Sequence, residues 1–390
     1  MNQPELNKTN NYPRILVGTS DFKKLRSGSD VIVDKSLLIK TVLEDEDEVL
    51  LITRPRRWGK SLNLSMLKYF FELEVDSEGK ELSPKEKAHP KLFIGGKVKS
   101  GAKERYLPPL KISKDQDSME ELGKYPVIFF SLKNTRGGNY KEVESKVKIQ
   151  VFEAFVKHRH LRKYLTPDND FLEVSEKKRL HKYLSGDIDE TDLKYSLRFL
   201  SELLYKHFKK EIVILVDEYD ETINDAYVKF GYESEEFKKV LELIREILSA
   251  ALKDVTYLKK AVLTGIYRVA KANIFSGLNN VGEYTLLDPE FGEYYGFTQG
   301  EIDFLINQAL LSDDIQEDLQ TLLAGQSVTK LLCREIAFEQ IKEEKKEERK
   351  RVFCSLLVFA GYLNPKPTNK SGVYELSIPN QEVRQIYEER

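Results

Sequence analysis

Cysteine is nearly absent from this chain of 390 residues. Its two cysteines, Cys333 and Cys354, form no CxxC pattern. We therefore expect both side chains in apolar packing rather than in a disulfide, which suits a reducing compartment. The five histidines have no metal-ligand spacing either. No metal site made of protein side chains alone is predicted.

Long apolar runs and an excess of one charge are also missing. No stretch approaches about 18 apolar residues, and the first residues lack the apolar core of a signal peptide, so we predict a cytoplasmic protein without a membrane segment. The net charge is −2, so any site for a polyanion must be a local patch. The abundant residues are those of a folded globular protein, with 20 Tyr, 20 Phe and 41% hydrophobic residues. The length suggests two or three structural units.

Short apolar runs alternate with helical patterns through the first three quarters of the chain. Four runs have the length and the β-branched or aromatic composition of buried strands: 49–53, 126–132, 211–221 and 259–268. Helical patterns follow them at about 61–74, 140–163, 192–208 and 234–253. Strands that alternate with helices predict an α/β fold in which helices sandwich a parallel sheet.

Changes of composition divide the chain further. Residues 76–124 are rich in Lys, Glu, Gly and Pro and resemble a surface insertion. A helix, a turn-rich gap, the strand "VYELSI" and a last helix resemble half of a winged-helix module. We therefore predict a leader (1–45), a sheet domain (46–295), a helical lid or linker (296–350) and a winged-helix-like C-terminal module (351–390).

The string "TRPRRWGKS" follows the first predicted strand directly. Gly59 lets the main chain approach a phosphate, Lys60 supplies a cation, and Ser61 supplies a hydroxyl for Mg²⁺ at the start of a helix. A standard phosphate-binding loop has a second glycine where this chain has Arg54, so a basic surface turn is the alternative. Three arginines of this loop, at positions 54, 56 and 57, would add positive charge around it.

The string "IVILVDEYD" ends the third predicted strand in acids. Asp217 would hold Mg²⁺ through water, and Glu218 would polarise the attacking water. The alternative is a strand that ends in solvated acids, but the lysine loop on a preceding strand favours nucleotide hydrolysis. We expect Asp220 and Glu221 to be solvated or to cap a helix.

The fourth predicted strand ends in Thr264, and Arg268 lies one turn further on. Thr264 could sense the γ-phosphate, or it could be an ordinary polar residue at the end of a strand. Arg268 could stabilise negative charge, or it could form a structural salt bridge. Trp58 could stack on a base or fill the core, and we favour the core.

Several long strings make the chain similar to a known family. They occur in the order "GTSDFKKLRSGSDVIVDKSLLIK", "LLITRPRRWGKSLNLSMLKYFFE", "YPVIFFSLKN", "IVILVDEYDETINDAY", "VLTGIYRVAKANIFSGLNNV" and "YYGFT". Over roughly residues 14–300 the chain resembles the AAA-ATPase-like family of bacterial and archaeal proteins, which is related to the signal-transduction P-loop ATPases. In that family an Arg-Pro-Arg-Arg lead-in replaces the first glycine of the loop.

The resemblance implies a P-loop NTPase fold with ATP and Mg²⁺ as cofactors. The nucleotide would contact seven loop residues: Arg56, Arg57, Trp58, Gly59, Lys60, Ser61 and Leu62. Mg²⁺ would be held by Ser61 and Asp217. Catalysis would involve Lys60, Glu218, Thr264 and Arg268.

Two departures from the family pattern bear on function. A nuclease-like domain that commonly follows the "IPNxEV" segment does not follow it here, and an aromatic segment after "GFT" is missing. We expect an Mg²⁺-dependent ATPase that acts as a switch. The alternative is a truncated copy that serves as a catalytically weak nucleotide-binding interaction module. A DNA-associated ATPase that binds through the C-terminal module is a further alternative. A protein partner or a second copy of the chain is possible. The absence of an Asn-Lys-x-Asp motif favours ATP over GTP.

Overall fold

The computed structural model describes most of the chain up to residue 298 and parts of the remainder. The described residues are 16, 18–100, 103–266, 281–298, 300–301, 304, 318, 321–322, 324–332, 351, 354–355, 358 and 363–378. They fall into two compact units. The larger comprises Ser20–Lys23 and Asp34–Tyr295, and the smaller comprises Lys24–Val33 with the described residues before Ser20 and from Gly296 onward.

The strands are β1 (Val49–Thr53), β2 (Gly96–Ser100), β3 (Lys103–Leu107), β4 (Val127–Ser131), β5 (Ile212–Asp217), β6 (Leu258–Gly265), β7 (Val281–Tyr284), β8 (Val328–Leu331), β9 (Asn364–Pro367) and β10 (Val373–Ser377). The α-helices are α1 (Phe22–Gly28), α2 (Leu38–Glu44), α3 (Lys60–Phe71), α4 (Pro90–Ile94), α5 (Gln116–Glu120), α6 (Tyr140–Lys157), α7 (Val174–Ser185), α8 (Glu190–Lys194), α9 (Ser196–Phe208), α10 (Glu221–Phe230) and α11 (Glu235–Leu252). Short 3₁₀-helices span Lys111–Lys114, Arg159–Leu165 and Pro289–Tyr294.

Five parallel strands form the central sheet of the larger unit, in the order β4-β5-β6-β1-β7. Every residue of β1 and β5 is buried, as expected for strands covered on both faces. Alternate residues such as Ile214, Val216 and Leu263 join a core formed with α6, α9 and α11. Helix α3 packs against β4, β5 and β6. The predicted α/β architecture, a parallel sheet flanked by helices, is thereby confirmed.

The predicted helices differ from the observed ones in their limits. The helix predicted at 140–163 ends at Lys157, and the chain continues as a 3₁₀-helix. The helix predicted at 192–208 is interrupted at Tyr195, between α8 and α9. The helix predicted at 234–253 is α11, whose N-cap Ser234 accepts a hydrogen bond from Phe237 N.

The predicted surface insertion has secondary structure of its own. Strands β2 and β3 form an isolated antiparallel ribbon, followed by a 3₁₀-helix and α5. The contacts that fix its end to the rest of the larger unit include a hydrogen bond and an ion pair. Lys111 N donates to Asp34 Oδ2 at 2.7 Å, and Lys40 Nζ lies 2.6 Å from Asp115 Oδ2.

The smaller unit contains a three-stranded antiparallel sheet in the order β8-β10-β9. Strand β10 contains the predicted "VYELS", and β9 pairs with it as a hairpin. Strand β8 falls in the segment predicted to be helical, where the β-branched Val328 and Thr329 favour an extended chain. Cys354 is buried in an apolar cluster and free of a disulfide, as predicted, whereas Cys333 lies outside the described residues. In the part of the chain that the structure describes, no helix combines the length and apolar character needed to cross a membrane.

Candidate functional site

The loop between β1 and α3 turns by means of two residues with positive φ. Arg57 has φ 70° and Gly59 has φ 78°. A side chain at Gly59 would meet no atom within 4 Å, so glycine is favoured there by its backbone conformation rather than by lack of space. Gly59 is the N-cap of the twelve-residue helix α3, whose first turn presents main-chain N–H groups to an anion.

Lys60 closes this loop from inside. Its side chain is buried, and Nζ donates hydrogen bonds to Arg54 O at 2.9 Å and to Pro55 O at 2.7 Å. Burial lowers the pKa of Lys60, while the nearby carboxylates of Asp220 and Asp217 act in the opposite direction. The lysine is therefore electrostatically linked to the acids that follow β5.

Arg54 does not accompany Arg56 and Arg57 on the open side of the loop. Arg56 and Arg57 are exposed, whereas Arg54 is only 1% exposed. Its Nη1 donates to Thr53 O at 2.8 Å, to Tyr284 O at 3.1 Å and also to Thr285 O. The expectation that Arg54 adds charge to a phosphate cradle is wrong, because its guanidinium instead bonds the end of β1 to the end of β7.

Asp217 and Thr264 form a buried pair at the same edge of the sheet. Asp217 ends β5, and the hydroxyl of Thr264 on β6 donates to Asp217 Oδ1 at 2.9 Å. Thr264 has no exposed surface. Because β6 lies between β1 and β5, Thr264 lies between the strand that leads to Lys60 and the strand that ends in Asp217. One role of Thr264 is therefore to orient the Asp217 carboxylate.

Glu218 has an unusual backbone conformation for a residue with a side chain, with φ 54°. Its Oε2 atom is buried and has no hydrogen-bond partner within the described part of the chain. Burial, together with the nearby carboxylates of Glu221 and Asp217, raises the pKa of Glu218 to about 8. A half-buried carboxyl group on a conformationally strained residue at a strand end is typical of a functional site.

Of the two expectations for Asp220, solvation is wrong, whereas a place at a helix start is observed, because Asp220 is the N-cap residue of α10, although its side chain makes no capping hydrogen bond. Asp220 is 1% exposed, and its Oδ2 accepts hydrogen bonds from Ile266 N and Asn224 Nδ2, both at 3.0 Å. It therefore connects the end of β5 to the chain after β6. Glu221 is in the first turn of α10 but is half-buried rather than freely solvated.

Glu221 binds a loop that sequence reasoning missed. Arg136 Nε lies 2.7 Å from Glu221 Oε1, which also accepts from Asn134 N at 3.4 Å. The hydroxyls of Thr135 and Thr222 are hydrogen-bonded beside them. The string "NTRGGN" follows the predicted strand 126–132. Because parallel strands place their carboxyl ends at one edge of a sheet, this position alone indicates that the loop lies near the acids after β5.

The structure brings Lys60, Asp217 and Thr264 to one edge of the sheet, where Glu218 follows directly. Ser61 and Leu62 are partly buried in the first turn of α3.

Trp58 is 8% exposed, which favours packing over stacking on a base. Arg268 lies outside the described residues. Among the described residues, no group of three or more His, Cys, Asp or Glu side chains is placed to hold a metal ion.

Comparison with known proteins identifies the family of the chain. Residues 16–84 and 96–275 match the family model described as predicted AAA-ATPase. An uncharacterized protein in the vnfD 5′ region of Azotobacter chroococcum mcd 1 is 23% identical over 291 residues, which are 74% of this chain and 44% of that protein. The chain thus spans less than half the length of this relative. No solved structure matches the chain. Because the family match covers more than half of the chain and includes both the lysine loop and the acids after β5, the chain belongs to the predicted AAA-ATPase family.

Proposed function

We propose that the protein is an Mg²⁺-dependent switch that binds and hydrolyses ATP. The observation that carries the proposal is the convergence of Lys60 with the Asp217–Thr264 pair at the carboxyl edge of one parallel sheet. Ligands of open parallel sheets bind at this edge. A cation, a helix N-terminus and carboxylates together fit a nucleotide triphosphate with its metal ion.

The loop residues from Arg56 to Leu62 would bind the phosphates. Main-chain N–H groups at the start of α3 donate to phosphate oxygens, and Lys60 supplies the positive charge. Ser61 and Asp217 would hold Mg²⁺, which neutralises phosphate charge when bound. The small number of protein ligands fits a metal ion that keeps several waters and is held mainly by substrate phosphates.

In its ionised form, which the raised pKa of about 8 makes more abundant as the pH rises, Glu218 would orient the attacking water and accept its proton. Thr264 would hold Asp217 in place and could sense the γ-phosphate beside it. Arg268 would add charge stabilisation. In this proposal the residues of the chain position groups and stabilise charge, which is the main contribution of a protein to phosphoryl transfer.

The hydrogen bonds of Lys60 suggest how binding becomes a switch. To reach a phosphate, Lys60 Nζ has to exchange the carbonyls of Arg54 and Pro55 for phosphate oxygens. The guanidinium of Arg54 lies 5.4 Å above the ring of Tyr295, the last residue of the larger unit. A rearrangement of the loop that moves Arg54 would therefore change its contact with Tyr295, the residue at which the chain leaves that unit.

Two variants test the proposal. Lys60→Ala should weaken ATP binding at least about tenfold, because a charge-assisted contact is lost. Glu218→Gln should still bind ATP but hydrolyse it roughly 10²- to 10⁴-fold more slowly. Calorimetric titration and phosphate release measure the two effects. The exposed Lys141→Ala and Glu120→Gln serve as charge-matched controls. Equal phosphate release by wild type and Glu218→Gln would remove the assigned role of Glu218.

A second candidate is a nucleotide-binding interaction module with weak catalysis. The observation that favours it is the strained, half-buried Glu218, whose Oε2 contacts no donor in the described part of the chain. ATP-dependent melting of the wild-type protein without phosphate release would support this candidate over the first.

A further inference from the structure

One stretch of the larger unit carries a charge opposite to that of the whole molecule. Residues 91–114, here called the basic ribbon segment, contain seven Lys or Arg and one Glu, a net charge of +6 in a chain of net charge −2. The segment includes α4, the β2–β3 ribbon and the following 3₁₀-helix. Such local asymmetry in a chain that is slightly acidic overall is typical of a surface for a polyanion.

The end of the ribbon that joins the rest of the larger unit is packed against buried residues. Leu107 and Leu110 are buried, and Leu110 N donates to Phe93 O at 2.8 Å. The ring of Phe93 in turn packs against Phe22 and Phe70 at centroid distances of 5.4 and 5.2 Å. The base of the ribbon is thus part of the core, which fixes the direction of the strands that leave it.

An aromatic ring and a lysine lie side by side on the open part of the ribbon. Tyr106 is 69% exposed and lies directly opposite Lys97 in the antiparallel register. Residues opposite each other share a face of the ribbon, with Cβ atoms about 5 Å apart. Lys97 is exposed as well. Among the described residues, the side chain of Tyr106 is the most exposed of the exposed aromatic rings.

Three further lysines of the segment are exposed, and two carboxylates close to them in the sequence have other partners. Lys91, Lys111 and Lys114 are exposed, and within the described residues none of them forms an ion pair. The carboxylate of Asp115 pairs with Lys40 and caps α5, and that of Asp34 accepts main-chain N–H groups. The positive charge of the segment is therefore not neutralised by these carboxylates.

We propose that the basic ribbon segment binds single-stranded nucleic acid, with a base stacked on Tyr106 and phosphates on Lys97 and the other lysines of the segment. An exposed ring with a cation opposite it on the same face can receive a base and the phosphate next to it. A single strand offers unstacked bases to the ring, whereas the bases of a duplex are already stacked on each other. This surface is formed by residues other than those of the proposed ATP site.

Fluorescence anisotropy with a labelled mixed-sequence oligonucleotide, as DNA and as RNA, tests the proposal without added nucleotide. The full chain should bind both single strands more tightly than the matching duplex. Four phosphate contacts predict an affinity about 50-fold lower at about 200 mM than at about 50 mM salt, because counterions are released on binding. The measurement is independent of ATP hydrolysis, so either proposal can fail without the other.

Variants assign the two kinds of contact. Tyr106→Ala should weaken binding about tenfold, and Tyr106→Phe should retain it, because only the ring is needed for stacking. The double variant Lys97→Glu/Lys111→Glu should weaken binding and reduce the salt slope by about 1.4. Lys141→Glu, an exposed lysine on α6, is the matched control and should bind like the wild type. Melting temperatures verify that all variants are folded.

Several results would overturn the proposal. The first is the absence of binding to either single strand at the lower salt concentration. The second is an equal loss of affinity in Lys141→Glu and in the double variant, or unchanged affinity in Tyr106→Ala. The third is capture by vesicles of anionic lipid when the oligonucleotides are not bound, which would assign the basic surface to a membrane.

Discussion

The hydroxyl of Thr264 has one observed contact that a methyl group cannot replace. It donates to Asp217 Oδ1 from a fully buried position, so the carboxylate loses a donor when the hydroxyl is removed. In the proposed site the same carboxylate faces Mg²⁺. The orientation of Asp217, and hence its affinity for the metal ion, should therefore depend on Thr264 even though Thr264 binds no metal.

Thr264→Val should destabilise the protein by about 1–3 kcal/mol, since a buried carboxylate loses a hydrogen bond. It should also raise the Mg²⁺ concentration needed for half-maximal ATP binding by about tenfold, a typical effect of removing a partner of a metal ligand. Urea unfolding and ATP titration at several Mg²⁺ concentrations measure the two effects. Thr264→Ser retains a hydroxyl and should restore the Mg²⁺ dependence. If the serine and valine variants need the same Mg²⁺ concentration, the positioning role is refuted.

At the scale of elements, the edge strand β7 depends on a side chain from the loop after β1. Within the described part of the chain, β7 pairs with β1 alone. Arg54 adds hydrogen bonds to the carbonyls of Tyr284 and Thr285, directly at the end of that strand. Strand β7 has four residues, one of them Gly282, so its own pairing is short. We therefore infer that the hydrogen bonds of the Arg54 guanidinium help to hold β7 in the sheet.

Arg54→Ala should lower the free energy of unfolding by about 3 kcal/mol, because the buried carbonyl of Thr53 and the partly buried carbonyls of Tyr284 and Thr285 lose a charged donor. The effect should be largest at β7. Hydrogen exchange without nucleotide should show faster exchange for Val281–Tyr284, with little change for the amides of β5. Arg56→Ala, at an exposed position of the same loop, should leave exchange at β7 unchanged. Uniform acceleration across the sheet would contradict a specific role at the edge strand.

The sequence allowed four of the five central strands to be predicted, because each is a short, continuous apolar run. Strand β7 was not predicted, since "VGEY" is short and half polar. The order of the strands could not be predicted, because periodicity does not show that β6 pairs with both β1 and β5.

Among the residues of the candidate site, Lys60, Asp217 and Thr264 were found from their places at strand ends. The role of Arg54 was not found, because its partner Tyr284 lies 230 residues away in the sequence. Nor was Arg136 found, because its pairing with Glu221 depends on two loops that meet only in the folded sheet.

At the scale of the whole molecule, two neighbouring histidines make the free energy of unfolding depend on pH. His160 and His207 lie with their rings 5.2 Å apart, and His207 Nε2 is 2.9 Å from Gly79 O. Burial lowers the pKa of His160 to about 4 and also lowers that of His207. The unfolded chain therefore takes up these protons at a higher pH than the folded protein.

The stabilisation from His160 should be complete above its unfolded pKa of about 6.5 and be lost as the pH falls toward about 4. His160→Phe should remove about 1–2 kcal/mol of this pH dependence, after allowance for partial solvent screening. Urea unfolding at a series of pH values measures it as the difference between variant and wild type. The exposed His181→Phe is the control. Parallel stability curves for wild type and His160→Phe would contradict the prediction.

The order of the sheet also has a consequence for synthesis on the ribosome. Both neighbours of β1, namely β6 and β7, are encoded about 200 residues downstream of it. Throughout that interval the nascent chain carries an apolar strand with neither edge paired, together with the lysine loop that follows it. Such a strand is a template for pairing with other chains, so we expect the emerging protein to require chaperones until β6 has left the exit tunnel.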